Sequence, residues 1–293
     1  MKVALHSVGY SGVWGGDTVL SLTEFIRKSS DMGFDGVELM AKRPHLSPLD
    51  FRESELRALS REIEESGLEV PCIASYHDFS QGLEHPDMAP LDKELVYLNS
   101  VLDMASELDS PVVRVYSGYR HPGVSFEEQW DSMVEGLGEA CDMARGRGIK
   151  IGLQNHSSMA SFTDEILALV EEVGSDSLGV ILDAPLLVER GEDIAESVRK
   201  CGDLILHTHT SDYRFAYGRD PGDYFTYRRV IAVPMGSGAI DYRAFVDALK
   251  GTGFDGYLSF EMCCRLEGGN SGDNMDRFAR TALAHTRKLI GKD

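Results

Sequence analysis

Short apolar runs alternate with longer stretches of helical period from one end of the chain to the other. Val3, Ala4 and Leu5 open as a strand. A glycine-rich loop follows, and Asp17 or Thr18 then caps a helix that faces Leu20, Leu22, Phe25, Ile26 and Met32 inward. Gly33 stops that helix, and residues 37–40 read as the second strand. The phrase Gly-Phe-Asp-Gly at 33–36 returns at 253–256, each time ahead of an apolar run, as one device for ending a helix and starting a strand. Between the two copies the pattern predicts helices over 47–66, 91–108, 125–146, 163–173 and 193–201. Strands are predicted over 70–75, 111–115, 150–153, 178–182 and 204–208. Residues 211–240 have no clear period, after which a helix (242–251), a strand (257–260) and a last helix (275–290) finish the chain.

Eight strands, each followed by a helix, with no linker-like change of composition, predict one α/β domain over 1–293. The expected form is a closed (β/α)8 TIM barrel, with a doubly wound open sheet as its competitor. A long loop at 211–240 after strand seven is expected to be a lid or subunit contact on the catalytic face. Its Tyr213, Tyr217, Tyr224 and Tyr227, with Arg214, Arg219, Arg228 and Arg229, suit an aromatic and cationic rim around a sugar.

Four runs end on side chains able to hold a metal, at Gln154, Asp183, His209 and Glu261, and a barrel would gather such ends around one mouth. Two carboxylates, an imidazole and an amide oxygen make a mixed oxygen and nitrogen set. It suits one divalent ion, Mn2+ first, with Mg2+, Co2+ or Zn2+ as alternatives. His156, two residues past Gln154 and on the same side of an extended segment, is a candidate base, and Glu261 is a second. Glu38, His77 and Arg114 are candidates to bind substrate hydroxyls or a carboxylate, and His207, at period two from His209, is a candidate to touch substrate or to support a ligand from behind.

Charge removes one class of partner: 29 basic against 48 acidic groups give −19, which opposes a nucleic-acid backbone. Five cysteines without a CxxC pair read as reduced thiols, and no apolar run is long enough for a membrane span or signal peptide. A cytoplasmic protein, with no membrane partner, is expected, as is a homo-oligomer.

The segments Gly33 to Leu39 (GFDGVEL), Leu182 to Pro185 (LDAP), His207 to Asp212 (HTHTSD) and Gly253 to Glu261 (GFDGYLSFE) resemble the xylose isomerase-like TIM barrel family. That family includes ketose epimerases, hydroxypyruvate isomerase, inosose dehydratase and endonuclease IV. The resemblance implies a single divalent metal held by Glu, Asp, His and Glu, of which Asp183, His209 and Glu261 carry over. Gln154 stands where the family has a carboxylate, and an amide cannot act as a general base at neutral pH. The resemblance therefore implies an isomerase or epimerase acting on a sugar or keto-sugar, with proton transfer shifted to His156 or Glu261. A β-eliminating lyase or dehydratase of a 3-keto-sugar is the alternative, and a non-catalytic sugar-binding or partner subunit is the third reading.

Overall fold

The structure, a computed structural model, describes residues 1–13, 17–82, 87–156, 159–219 and 226–292, with backbone alone at 216–219 and 226–229. Strands β1 (Lys2–His6), β2 (Gly36–Met40), β3 (Ile73–Ala74), β4 (Val112–Val115), β5 (Lys150–Gln154), β6 (Leu178–Asp183) and β7 (Ile205–Thr210) lie in a closed parallel ring with β10 (Tyr257–Phe260). The expected (β/α)8 barrel is what forms. Helices α1 (Leu22–Met32), α2 (Glu53–Glu65), α3 (Pro90–Glu107), α4 (Phe126–Arg145) and α5 (Thr163–Val173) surround it, followed by α6 (Ala184–Glu189), α7 (Ile194–Cys201), α8 (Tyr242–Thr252) and α9 (Gly272–Ile290). Their apolar faces and the outward strand residues form one continuous core that includes Phe25, Leu98, Leu137, Phe245 and Phe278.

The repeated phrase works as read. Gly33 and Gly253 cap α1 and α8 in the left-handed region, at φ 89° and 81°, and each donates its N–H back into the last turn. A side chain is strained at such a φ, and glycine is not.

Four boundaries differ from the pattern, each for a local reason. The cap of α1 is Ser21, not Asp17 or Thr18, because Glu24 accepts from the Ser21 N–H at 2.8 Å and closes a capping box. Helix α2 starts at Glu53, since Asp50 N–H bonds the Ser47 carbonyl and makes 47–50 a turn. Strand β3 shrinks to two residues because Pro71 has no N–H for the ladder, although β2 still donates to the carbonyls of Glu69 and Cys72. Helix α6 was not foreseen; Asp183 Oδ1 accepts the Leu186 N–H at 3.2 Å and starts it.

The segment after β7 is not a loop but an antiparallel hairpin, β8 (Asp212–Arg219) with β9 (Thr226–Val233). At its base the Asp212 carboxylate accepts N–H bonds from Gly236 (2.9 Å), Gly238 (2.8 Å) and Tyr213 (3.0 Å). Asp212→Ala leaves these donors without their acceptor, and we expect it to cost about 2–4 kcal/mol. Calorimetry of thermal unfolding in the metal-free protein checks this; an unchanged midpoint would remove the role.

All five cysteines are free. Cys72, Cys141 and Cys201 are buried, whereas Cys263 and Cys264 are partly exposed. No helix among the described residues is long and apolar enough to cross a membrane.

Candidate active site

Strand register brings the polar ends to one level. His209 on β7 pairs with Asp183 on β6 and with Ser259 on β10, and Glu261 follows β10 with its N–H on the Thr210 carbonyl at 2.9 Å. One acceptor atom each of Asp183, His209 and Glu261 lies within 4.8 Å of the others. From His209 Nδ1 it is 3.8 Å to Asp183 Oδ2 and 3.6 Å to Glu261 Oε2.

Beneath them Glu38, fully buried on β2, orients the imidazoles. It accepts from His207 Nε2 at 3.0 Å and from His209 Nε2 at 2.9 Å. With the proton on Nε2, His209 turns the Nδ1 lone pair toward Asp183 and Glu261, the carboxylate-to-imidazole support common behind metal ligands. His6, at the end of β1, completes the group. Its Nδ1 accepts the Val8 N–H at 3.1 Å, so the neutral ring carries its hydrogen on Nε2, 3.6 Å from Glu38 and 3.7 Å from Glu261 and without a hydrogen-bond partner among the described residues.

Gln154 enters differently from the sequence expectation. Arg114 Nη1 lies 2.7 Å from its Oε1, and a guanidinium can only donate, so the amide oxygen must face Arg114. The amide nitrogen then donates to Asp183 Oδ2 at 2.8 Å and, when the His209 ring is neutral, to its Nδ1 at 3.0 Å. As placed, Gln154 braces two of the three donors and does not offer its oxygen to a cation. The His209 lone pair that it engages is the one a cation would take.

The donor set of Asp183, His209 and Glu261 fits a divalent ion. Ligand atoms 3.6 and 3.8 Å apart match two bonds of about 2.1 Å to a shared centre. The same carboxylates and imidazoles shift one another's titration. Burial lowers His209, but Glu38 and Glu261 outweigh it and carry its pKa up to about 10. Burial and Asp183 raise Glu261 to about 7 against His209 and Arg114. Burial raises Glu38, yet His209, His6 and His207 hold it well below the usual carboxylate range. A metal must displace protons from His209 and Glu261, so we expect its affinity to fall as pH falls. Binding at pH 7 should release roughly one to two protons. Calorimetric titration with Mn2+ in buffers of different ionisation heat measures this; no release would contradict the donor assignment.

Above the donors is a cavity of about 220 Å³ whose lining includes Lys42, Tyr76, Tyr116, His156, Asp183, Tyr213, Glu261 and Cys263. His156 is not in an extended segment as expected: β5 ends at Gln154, and the His156 N–H bonds the Gln154 carbonyl at 2.8 Å in a turn. Its ring stacks on Tyr116 with centroids 4.4 Å apart. The residue remains exposed to the cavity, but protein crowds the ring enough that burial lowers its pKa to about 4 against the opposing pull of Asp183. Arg190 holds this turn by donating to the carbonyls of Asn155 (3.0 Å) and His156 (3.3 Å).

Of the residues expected to touch substrate, Glu38, His77, Arg114 and His207 all lie outside the cavity lining. Glu38 and His207 are committed to each other below it. His77 is packed between Ser75 Oγ at 2.7 Å and Glu94 Oε2 at 3.1 Å. Arg114 stands behind Tyr116 and Gln154. Tyr213 does line the cavity, together with Val230 from the other arm of the hairpin, so the hairpin base is on the catalytic face. Arg214 pairs instead with exposed Glu267 at 2.8 Å. Tyr224 lies outside the described residues, as do the side chains of Tyr217, Arg219, Tyr227, Arg228 and Arg229. A larger groove of about 480 Å³ between Phe126, Trp130 and Ala168 is on the outer helices; its lining has exposed acids, Glu127, Asp131, Asp164 and Glu165, and no histidine.

Fold and site together define a (β/α)8 protein with a buried carboxylate and imidazole cluster at the carboxyl ends of its strands. The chain belongs to the xylose isomerase-like TIM barrel family, whose model matches residues 26–289. It is 23% identical to fructoselysine 3-epimerase of Escherichia coli O157:H7 over 306 aligned positions, covering 100% of both chains. Inosose dehydratase of Geobacillus thermodenitrificans is 30% identical over 142 positions, 46% of this chain and 47% of that one. In structure the chain is similar to D-psicose 3-epimerase with D-tagatose from Clostridium cellulolyticum H10, with a TM-score of 0.79, 19% identity and 99% of each chain covered.

Proposed function

We propose that the protein is a divalent-metal-dependent enzyme that removes a proton from the carbon next to a carbonyl of a sugar or keto-sugar. The observation that carries this reading is the convergence of Asp183, His209 and Glu261 below a small cavity that also holds His156. Relatives along the chain are sugar epimerases and a dehydratase, and the reading fits both. Asp183, His209 and Glu261 would hold the metal, which supplies Lewis-acid stabilisation of the negative charge that develops on the substrate oxygens.

The remaining roles belong to side chains. Glu38 keeps His209 in the tautomer that presents Nδ1. Gln154 fixes Asp183 while Arg114 fixes Gln154. His156, neutral near pH 7 because of its lowered pKa, can accept the carbon-bound proton, and Glu261 is the second group able to carry one. Proton return to the neighbouring carbon gives an isomer, and return to the same carbon from the opposite side gives an epimer.

One observation favours a second outcome. With an amide at Gln154, no carboxylate stands at the end of β5, and a single base is enough when the electron pair left by the proton expels a β-substituent. The test is the product formed from a panel of ketoses and 3-keto-sugars in the presence of Mn2+. An unchanged formula supports isomerisation or epimerisation, loss of water or of an aglycone supports elimination, and no turnover on any of them leaves a sugar-binding barrel.

A further inference from the structure

The circular order of the barrel puts opposite charges on opposite sides of its mouth. In the ring β1-β10-β7-β6-β5-β4-β3-β2, β2 stands across from β6 and β4 stands across from β10. Asp183 ends β6 and Glu261 follows β10, while Lys42 follows β2 and Arg114 lies within β4. The acidic donors therefore occupy one half of the rim and the two cations face them from the other.

Lys42 lines the same cavity as His156, Asp183 and Glu261. Its ammonium is half-buried, 3.7 Å from the centre of the Tyr76 ring, and pairs with no carboxylate among the described residues. The Arg114 guanidinium approaches the same ring at 4.7 Å and that of Tyr116 at 4.3 Å. It is 1% exposed, and among the described residues its Nε and Nη2 have no partner at hydrogen-bond distance. The two neighbouring cations repel each other, and the carboxylates whose fields reach them, Glu38 and Glu261, are already engaged by the histidine cluster. That repulsion falls when an anion enters this half of the cavity, which Lys42 lines while Arg114 stands behind Tyr116. Asp183 and Glu261 cannot play that part while they hold a metal across the mouth. Glu189, the other acid on the lining, starts from the Asp183 side, at the end of α6. A neutral hydroxyl would satisfy the ammonium no better than water does.

We propose that Lys42 binds a carboxylate on the substrate, at the end remote from the reacting carbonyl, so that the natural substrate is a sugar acid. This rests on the reading that the carbonyl end binds at Asp183, His209 and Glu261. A cavity of about 220 Å³, equal to the share of roughly seven waters, suits one monosaccharide-sized acid lying across the mouth between the two charged halves. A partly desolvated ammonium–carboxylate pair adds about tenfold to affinity.

The test is calorimetric titration of the protein, with Mn2+ present, by D-fructose, D-fructuronate and D-fructose 6-phosphate, in the parent, Lys42→Met and Lys42→Arg. The parent should bind D-fructuronate about tenfold more tightly than D-fructose. Lys42→Met should lose that preference while its affinity for D-fructose stays within about twofold, and Lys42→Arg should keep part of it. The proposal is overturned if Lys42→Met retains the preference or if the parent shows none. Tighter binding of the phosphate than of the uronate overturns the carboxylate assignment in favour of a sugar phosphate. Binding of none of the three, with Mn2+ bound to the protein, overturns the ketose reading itself and this inference with it.

Discussion

Glu261→Ala protein is expected to bind Mn2+ at least about 100-fold more weakly than the parent and to leave purification without it. On the proposed reading Glu261 supplies one of three charged or imidazole donors, and its loss leaves only Asp183 and His209 of that set. Its fold should survive, because the side chain projects into the cavity beyond the packed barrel interior and belongs to no part of the hydrophobic core. Asp183→Ala should lose the metal equally but is the less clean variant. Asp183 divides its carboxylate, with Oδ1 on the Leu186 N–H of α6 and Oδ2 facing the site, so its removal also takes away a helix cap worth about 1 kcal/mol. Elemental analysis and calorimetric Mn2+ titration, with circular dichroism melts for the fold, measure both variants. Parent-like occupancy in Glu261→Ala would take that residue out of the site.

The second large effect belongs to His156. His156→Ala should lower kcat by roughly 10² to 10⁴, the usual worth of a positioned general base, while Mn2+ and substrate binding stay close to those of the parent. The ring stacks on Tyr116 and, among the described residues, makes no hydrogen bond to Asp183, His209 or Glu261, which is why binding and turnover should separate. Because burial lowers its pKa to about 4, the ring is unprotonated above that value. The acid limb that it contributes to the parent's turnover should therefore lie below the ordinary histidine value of about 6.5. Equal turnover in His156→Ala would place the base elsewhere, with Glu261 next in line.

The barrel was legible because its signals are local. Apolar runs of strand length, glycines at 33 and 253 that only a left-handed cap requires, and strand ends bearing Asp183, His209 and Glu261 each depend on a few adjacent residues. His6 was legible by the same rule, since it ends the run Val3-Ala4-Leu5, and was passed over only because it opens the chain. The hairpin also left a trace: Tyr213, Phe215 and Tyr217 alternate with Arg214 and Ala216, a period of two masked by the charged residues among them.

What the sequence could not carry depends on partners far apart in the chain. Gln154 reads as a ligand by position, and only Arg114, 40 residues earlier and 2.7 Å away, turns its oxygen aside. Glu38 and His207 have the chemistry of sugar-binding groups, but they are 169 residues apart and are paired with each other in the barrel interior. His77 is occupied by Ser75 and Glu94 in the same way. Lys42 looks like any surface lysine until the ring order places it across from Asp183.

Exchange of a carbon-bound substrate proton with solvent tests the central claim most directly. The Mn2+-supplemented protein is incubated in deuterated water with ketoses, 3-keto-sugars and the corresponding uronates, and the sugars are followed by proton NMR. The account predicts that at least one of them loses the signal of the C–H next to its carbonyl, with or without net conversion. The loss should depend on Mn2+ and be strongly reduced in His156→Ala and Glu261→Ala. A sugar that binds the metal-loaded protein and is converted with no solvent deuterium at that carbon, or at the same rate in both variants, would contradict it.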